Sequence, residues 1–420
     1  MPYTGYTRTN YFPNDKVVIV KNINVKTTQL GLDIDGILEN KNSGYSVSMN
    51  ASGDRVAIGG MVDTYNKGST RIYQWNGLTW TQMGDAIDGE NDGDQSGYSV
   101  SLNALGDYVA MGSPYIITGE GYVRIYKWNG TNWEPKGDPI LGVVSDYSGR
   151  SVSLNASGDC VAIGAPDADA SKGYVRIHKW GEDGWAPKGD KIGGGTKGDQ
   201  SGWCVSLNAS GDYVAIGSPQ NSADPVGTGY VQIHEWGGTD WKIKGAAISG
   251  VSTDDKSGWS VSLNALGDCV AMGAPYGNTS KGYVRIFKYK VSAWVPLGQK
   301  IEGNTINGIT GGDRSGWSVS LNALGDCVAI GSPQNASETS TGHTKIYKLN
   351  GTTWTQFGSN INGESAGDKS GFSVSMNALG DRFAIGAYQN DPTLLLVNAG
   401  NTKIYKQEVC MQIGSYFVCL

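Results

Sequence analysis

The side chains in this chain that could do chemistry are its aspartates, its three histidines and its six cysteines. Aspartate recurs two positions before a Ser-Gly pair, at Asp94, Asp146, Asp199, Asp255, Asp313 and Asp368, with Asn42 at the first such pair. Ringed on one face, these carboxylates would bind cations or a basic partner. Bonded to backbone amides, they would only shape the entry into a strand, and we favour that reading. The acids Asp92/Asp94, Asp254-Asp255 and Glu302 are the residue type that glycoside hydrolysis uses, where two carboxyl groups flank the bond. His178 and His234 fall where other units carry Tyr73, Tyr126, Phe287, Tyr347 and Tyr405, and His343 falls in the slot of Tyr122 and Tyr174. They read as packed aromatics, and none has metal-ligand spacing to a cysteine. Cys160, Cys269 and Cys327 share one slot after Gly-Asp and are expected to be free buried thiols, with Cys410 and Cys419 left open. No unit combines a unique nucleophile with a unique base, so the expectation is that the chain is not an enzyme.

A different chemistry belongs to the residue after each Ser-Gly: Tyr45, Tyr98, Arg150, Trp203, Trp259, Trp317 and Phe372. Aromatic faces grip cations and sugars. The same residues would equally serve as wedges between neighbouring elements and touch no ligand, and both readings stand. A second aromatic series, Trp75/Trp80, Trp128/Trp133, Trp180/Trp185, Trp236/Trp241, Tyr289/Trp294 and Trp354, brackets one hairpin in each unit and reads as packing. Variable loops from Tyr115 to Glu120, Asp167 to Lys172, Gln220 to Thr228, Tyr276 to Lys281, Gln334 to Thr341 and Gln389 to Asn398 form a second candidate surface.

What positions these residues is a repeat. Units such as SGWSVSLNALGDCVAMGAP, at 257–275, start at Ser43, Ser96, Ser148, Ser201, Ser257, Ser315 and Ser370, spaced by 52 to 58 residues. In the second unit four extended segments follow one another: SVSLNA, YVAMGSP, YVRIYKW and WEPKGDPI, separated by Gly-Asp and Asn-Gly turns. Large apolar residues alternate with Ser, Ala or Gly, so both faces are buried, one bulky and one small. Stacked sheets arranged radially satisfy that pattern, which predicts an all-β, seven-bladed β-propeller of four-stranded antiparallel blades. Sixty-three glycines, 13 Trp and 22 Tyr in 420 residues agree with many short strands.

The expected organisation is an N-terminal arm (1–25), the propeller (26–409) and a C-terminal strand or tail (410–420). TQLGLDIDG at 28–36 resembles TQMGDAIDG at 81–89, so an N-terminal strand is expected to complete the last blade and remove its open edge. Met411-Gln412-Ile413-Gly414 also resembles a fourth strand; if both are used, Val17 to Val20 would join an extra hairpin.

The start at Gly258-Trp259-Ser260 and the end at Gly273-Ala274-Pro275, followed by Gly282-Tyr283-Val284-Arg285-Ile286-Phe287, resemble the FG-GAP repeats of integrin α-subunit propellers. The chain is similar to a variant that adds Trp-Asn-Gly-Thr-x-Trp and Asp-x-Ser-Gly elements, over about residues 26 to 406. The resemblance implies that the aromatic after Ser-Gly helps to cage a basic side chain of a partner at the central opening. It departs from the family at the calcium loops: Asp54, Asp107, Asp159, Asp212, Asp268, Asp326 and Asp381 stand alone in their turns, so calcium is disfavoured and no cofactor is expected. Stalk and anchor domains of adhesion receptors are not expected.

Scattered charge, with 39 acidic and 33 basic residues and a net charge of −6, disfavours nucleic acid. No signal peptide is expected in the first residues, and the apolar run 394–397 is too short to span a bilayer. The expected function is non-catalytic: a scaffold or recognition protein that contacts protein partners or assembly neighbours, as a surface or virion component. A lectin using aromatic platforms is the alternative, and a glycoside hydrolase comes third.

Overall fold

Each of the seven repeats folds into its own antiparallel sheet in the computed structural model. The structure describes residues 20–37, 41–61, 67–115, 119–219, 227–304, 312–333, 340–391, 397–413 and 416–419. Every inner strand packs against the inner strand of the next sheet, and the seventh packs against the first, so the sheets are the blades of a closed propeller.

Blade 2 shows the plan: Ser99–Leu102, Tyr108–Ser113, Tyr122–Trp128 and Trp133–Pro135, paired in that order. The outermost segment is not one strand as expected. It breaks after Pro135 and resumes at Ile140–Leu141, both pieces pairing with the third strand. Gly137 sits in the break with φ +77°, and a Cβ there would lie 2.7 Å from Trp180 of the next blade. The break therefore makes room for a neighbouring indole, which the strand pattern alone did not reveal.

Blades join bulky face to small face, as the alternation predicted. Ala57 and Ile72 of blade 1 pack against Val100, Leu102, Val109 and Met111 of blade 2. The closest approach is at the second-strand glycine: a Cβ on Gly112 would stand 1.9 Å from the carbonyl oxygen of Gly149.

Three circuits of hydrogen bonds run around the axis, and the sequence reading missed all of them. Main-chain bonds link Ala51 to Ala104, Ala104 to Ala156, and so on through Ala209, Ala265, Ala323 and Ala378, which donates back to Ala51; all span 3.0–3.2 Å. Above these, the second serine of each inner strand accepts the amide of the next blade at 2.9–3.0 Å, as Ser48 does from Leu102 and Ser375 from Met49. The first serine donates to the carbonyl of the next Ser-Gly glycine, as Ser46 does to Gly97, in six of the seven blades. The seventh has Cys204 in that slot. The serines on the small face are thus inter-blade bonds rather than mere spacers.

The outer aromatics pack between blades. Trp133 Nε1 donates to the Met83 carbonyl at 2.9 Å, and Trp80, Trp185, Trp241, Trp294 and Trp354 repeat the bond to the blade before. Blade 7 lacks the indole, and the buried amide of Gln407 bonds to the Phe357 carbonyl instead, at 2.7 Å.

Closure follows the N-terminal route. Strand Val20–Gln29 pairs antiparallel with the third strand of blade 7, Asn401–Ile413, from Val20 opposite Ile413 to Gln29 opposite Tyr405. The expected boundary at residue 25–26 falls inside this strand. Met411-Gln412-Ile413 is a continuation of the third strand rather than a fourth one, and Tyr416–Cys419 folds back onto it. Both termini thus add to one sheet; residues 17–19 of the envisaged extra hairpin lie outside the described residues. Cys410 is disulfide-bonded, and the residue directly across the ladder is Cys419. Cys160, Cys269 and Cys327 are free and buried, as expected. No helix among the described residues is long and apolar enough to cross a membrane.

Candidate functional site: the aromatic mouth of the axis

The turn that opens each inner strand sets the site. In blade 5 the amide of Trp259 donates to the Lys256 carbonyl at 3.1 Å, closing Lys256-Ser257-Gly258-Trp259, and every blade repeats this turn. The glycine takes φ +85° to +93° in all seven, a region that favours Gly. The residue flanking each turn also has positive φ, from 49° to 60°: Asn42, Gln95, Tyr147, Gln200, Lys256, Arg314 and Lys369. Asn42 is therefore a flanking residue; the slot of the repeated aspartate is filled in blade 1 by buried Lys41.

Those aspartates hold the loop beneath the turn, in the structural role we favoured. Asp255 is 2% exposed and accepts from the Val251 and Ser252 amides and from the Tyr283 hydroxyl, the last at 2.6 Å. Asp94 and Asp199 repeat the pattern with Tyr122 and Tyr230. Burial first, and the carboxylate bond second, push the Tyr230 phenol up to about 12. In blade 6 the phenol is replaced by His343, whose Nε2 lies 3.4 Å from Asp313.

The seven residues after Ser-Gly meet around the axis. Tyr45 lies 5.0 Å from Tyr98 and 4.8 Å from Phe372, centroid to centroid; Trp259 lies 4.7 Å from Trp203 and 4.8 Å from Trp317; Trp317 lies 5.5 Å from Phe372. Arg150 closes the remaining gap, its guanidinium 3.7 Å from the Trp203 ring centre and 5.0 Å from that of Tyr98. All seven are half-buried. With the Ser-Val pairs that follow them, Cys204-Val205 in blade 4, they line an opening of about 270 Å³. Each ring residue thus packs on its neighbours and still faces solvent, so the two sequence readings are not exclusive.

A second tier leans on this ring, built from Tyr115 and Tyr276, which open two loops of the second candidate surface, and from Tyr388, which sequence reasoning missed. Tyr388 packs tilted against Phe372 at 4.4 Å, and Tyr115 and Tyr276 pack edge-on against Tyr98 at 5.5 Å and Trp259 at 5.6 Å. Tyr115 and Tyr276 share one repeat slot, after the Pro that ends the second strand, while Tyr388 takes the place of that Pro in its own unit. Loop residues 116–118, 220–226, 334–339 and 392–396 of the second candidate surface lie outside the described residues.

No protein-family model and no curated protein matches the chain. Among solved structures it is similar to "Kuenenia stuttgartiensis Hydrazine Synthase", with a TM-score of 0.55 and 10% identity, over 86% of this chain and 95% of that one. The likeness is one of fold.

The remaining candidates are accounted for by packing. His178 and His234 are 6% and 5% exposed, and burial holds each at about 4, so both are neutral at pH 7. In the turn before the second strand it is Asn103, not Asp107, that accepts the backbone amides, of Asp107 and Tyr108; Asp107 accepts the Asn103 side-chain amide at 2.8 Å. The turn is thus held by asparagine rather than aspartate, because the amide oxygen reaches both N–H groups while its NH₂ needs an acceptor. Asp254 is exposed apart from buried Asp255, and Glu302 pairs with Lys300 at 2.8 Å. Among the described residues no three His, Cys, Asp or Glu side chains gather into a metal-binding group.

Proposed function

We propose that this protein is a non-catalytic recognition and assembly module, an FG-GAP-like propeller that docks a protein partner at the aromatic mouth. The observation that carries the reading is the ring itself: seven half-buried side chains in mutual contact, open to solvent, on a scaffold closed by bonds elsewhere. Large, rigid aromatic side chains and arginine supply much of the affinity at protein interfaces. The absence of catalysis is supported by the acids and histidines, whose partners and burial explain their presence. A surface or virion component remains our proposed setting, and the disulfide-bonded Cys410 favours an oxidising one.

The test is a photo-crosslinking amino acid placed at Trp259 or, as a control, at the opposite face at exposed Leu105. The expected result is a specific protein captured from native material through position 259 and not through 105. Binding of a glycan panel that vanishes in Trp259→Ala/Trp317→Ala would replace the reading with a lectin. Glycoside turnover abolished by a single carboxylate substitution would replace it with a hydrolase.

A further inference from the structure

We propose that the group seated in the mouth is a carboxylate, an aspartate or glutamate side chain of the docking partner held by Arg150; this rests on the docking reading above. The Arg150 guanidinium is the one cation in the ring, stacked on Trp203, and its Nη1 donates to the hydroxyls of Tyr98 and, at 3.4 Å, Tyr115. Among the described residues Nη2 donates no hydrogen bond, the buried Nε has no partner, and the groups facing the guanidinium are the phenols of Tyr98, Tyr115 and Tyr45 rather than a carboxylate. A half-buried cation gains most from the counter-charge it lacks, and a carboxylate matches the guanidinium fork.

The turns around the ring add cations. Three of the seven flanking residues, Lys256, Arg314 and Lys369, are cations on consecutive blades, and none of the seven is acidic. Arg314 stacks 4.8 Å from the ring centre of Tyr276, in the second tier. The repeated aspartates beneath are buried, with Asp94, Asp199 and Asp255 bonded to loop amides and tyrosine hydroxyls. Exposed Asp254 beside Lys256 and half-buried Asp167, which accepts from Gln200 at 3.3 Å, are acids at the rim that leave Arg150 itself without a counter-charge.

Two competitors fit less well. A basic side chain, as the family resemblance implies, would enter a ring where Arg150 already occupies the gap between Tyr98 and Trp203 and would be repelled by it. A sugar needs a flat aromatic face and polar groups to read its hydroxyls. Here the rings Tyr45, Trp203, Trp259 and Phe372 lie against neighbours at interplanar angles of 44° to 54°, and the first serines spend their hydroxyl protons on glycine carbonyls.

The test is calorimetric titration of the full chain with capped tri-glutamate, capped tri-lysine and sialyllactose, at low and at about 0.3 M salt. Tri-glutamate is expected to bind, more weakly at high salt, and about tenfold more weakly to Arg150→Gln, the loss expected of a charge-assisted hydrogen bond. A Lys256→Gln/Lys369→Gln variant, changed only at the rim, should lose several-fold and decides the matter if Arg150→Gln fails to fold. Equal tri-glutamate affinity in the wild type and the variants overturns the proposal, as does sialyllactose binding that Arg150→Gln abolishes. Tri-lysine binding lost in Trp259→Ala overturns the carboxylate but keeps the docking reading. Binding of no ligand, together with no crosslink from position 259, overturns both.

Discussion

The two ends of the axis are built from opposite materials. At one end all seven slots are alanine, from Ala51 to Ala378, joined by main-chain bonds, and Ala104, Ala156, Ala209 and Ala265 border a recess of about 170 Å³. At the other the seven slots hold two Tyr, three Trp, one Phe and one Arg, joined only by side-chain contact. A ring of backbone bonds asks for a small side chain at every repeat and tolerates little else. A ring of side chains admits several residue types, because closure does not depend on it. That freedom is why the mouth, rather than the alanine end, is where a binding specificity would be written.

The contrast is sharpest one residue apart. Gly164 sits at the seam between blades 3 and 4, where a Cβ would lie 2.0 Å from the Gly202 carbonyl oxygen, while the next residue, Trp203, belongs to the mouth. Gly164→Ala should cost about 3 kcal/mol or more, the range of overpacked and strained backbone sites. Trp203→Ala, half-exposed, should cost about 1–2 kcal/mol. Denaturant unfolding of both variants measures this, and equal losses would mean that the mouth also holds the ring closed.

Acid should act at the periphery and spare both ends. His178 and His234 have pKa values held near 4 by burial, below the ordinary 6.5, so the unfolded chain binds more protons between these values. Stability is then fully present above about pH 6.5 and falls as the pH drops towards 4, by about 2–3 kcal/mol for each histidine. His178→Tyr/His234→Tyr, with the residue other blades carry, should flatten that slope between pH 7 and 4. An unchanged slope would place the acid-sensitive group elsewhere.

Much of this was legible in the sequence because a sevenfold repeat states each structural rule seven times. Blade number, the bulky and small faces, the amide-bonded aspartates and the N-terminal closure all follow from slots compared across units. What stayed hidden depends on where chains meet in space. The serine and alanine circuits are bonds between units, so alternation showed only that Ser46 and Ser48 share a face. The substitution of Gln407 for an indole was invisible because it swaps one donor for an unrelated one at a different place in the blade. At the mouth the sequence named the seven residues but not that Arg150 fills the gap between Tyr98 and Trp203, since stacking is a property of side-chain direction.

The outer staples should matter less than the seam. Trp294→Phe keeps the ring but removes the Nε1 bond to the Lys244 carbonyl, 2.7 Å long, and should cost about 1 kcal/mol. Gln407→Leu in blade 7 should cost a similar amount. A much larger loss for Gln407→Leu would show that the blade closed by two chain ends is the weak point of the ring, and proteolysis starting there would confirm it.

The smallest effect has the opposite sign. Cys204 stands in the slot where six blades place a serine that bonds to the next glycine carbonyl at 2.7–2.8 Å. Its sulfur instead receives the Val261 amide at 3.4 Å, a weak bond, and burial pushes the thiol up to about 11, so it carries no charge at pH 7. Cys204→Ser would restore a hydroxyl donor to the Gly258 carbonyl and should stabilise the protein by about 0.5–1 kcal/mol. Because Cys204 also lines the mouth, the same variant separates the two ends' logic: it strengthens the circuit while leaving every aromatic and Arg150 in place. Stabilisation with unchanged tri-glutamate affinity is the expected result. A loss of stability would mean that the thiol packs better than a hydroxyl bonds, and a change in affinity would mean that the circuit beneath the mouth sets the positions of the side chains above it.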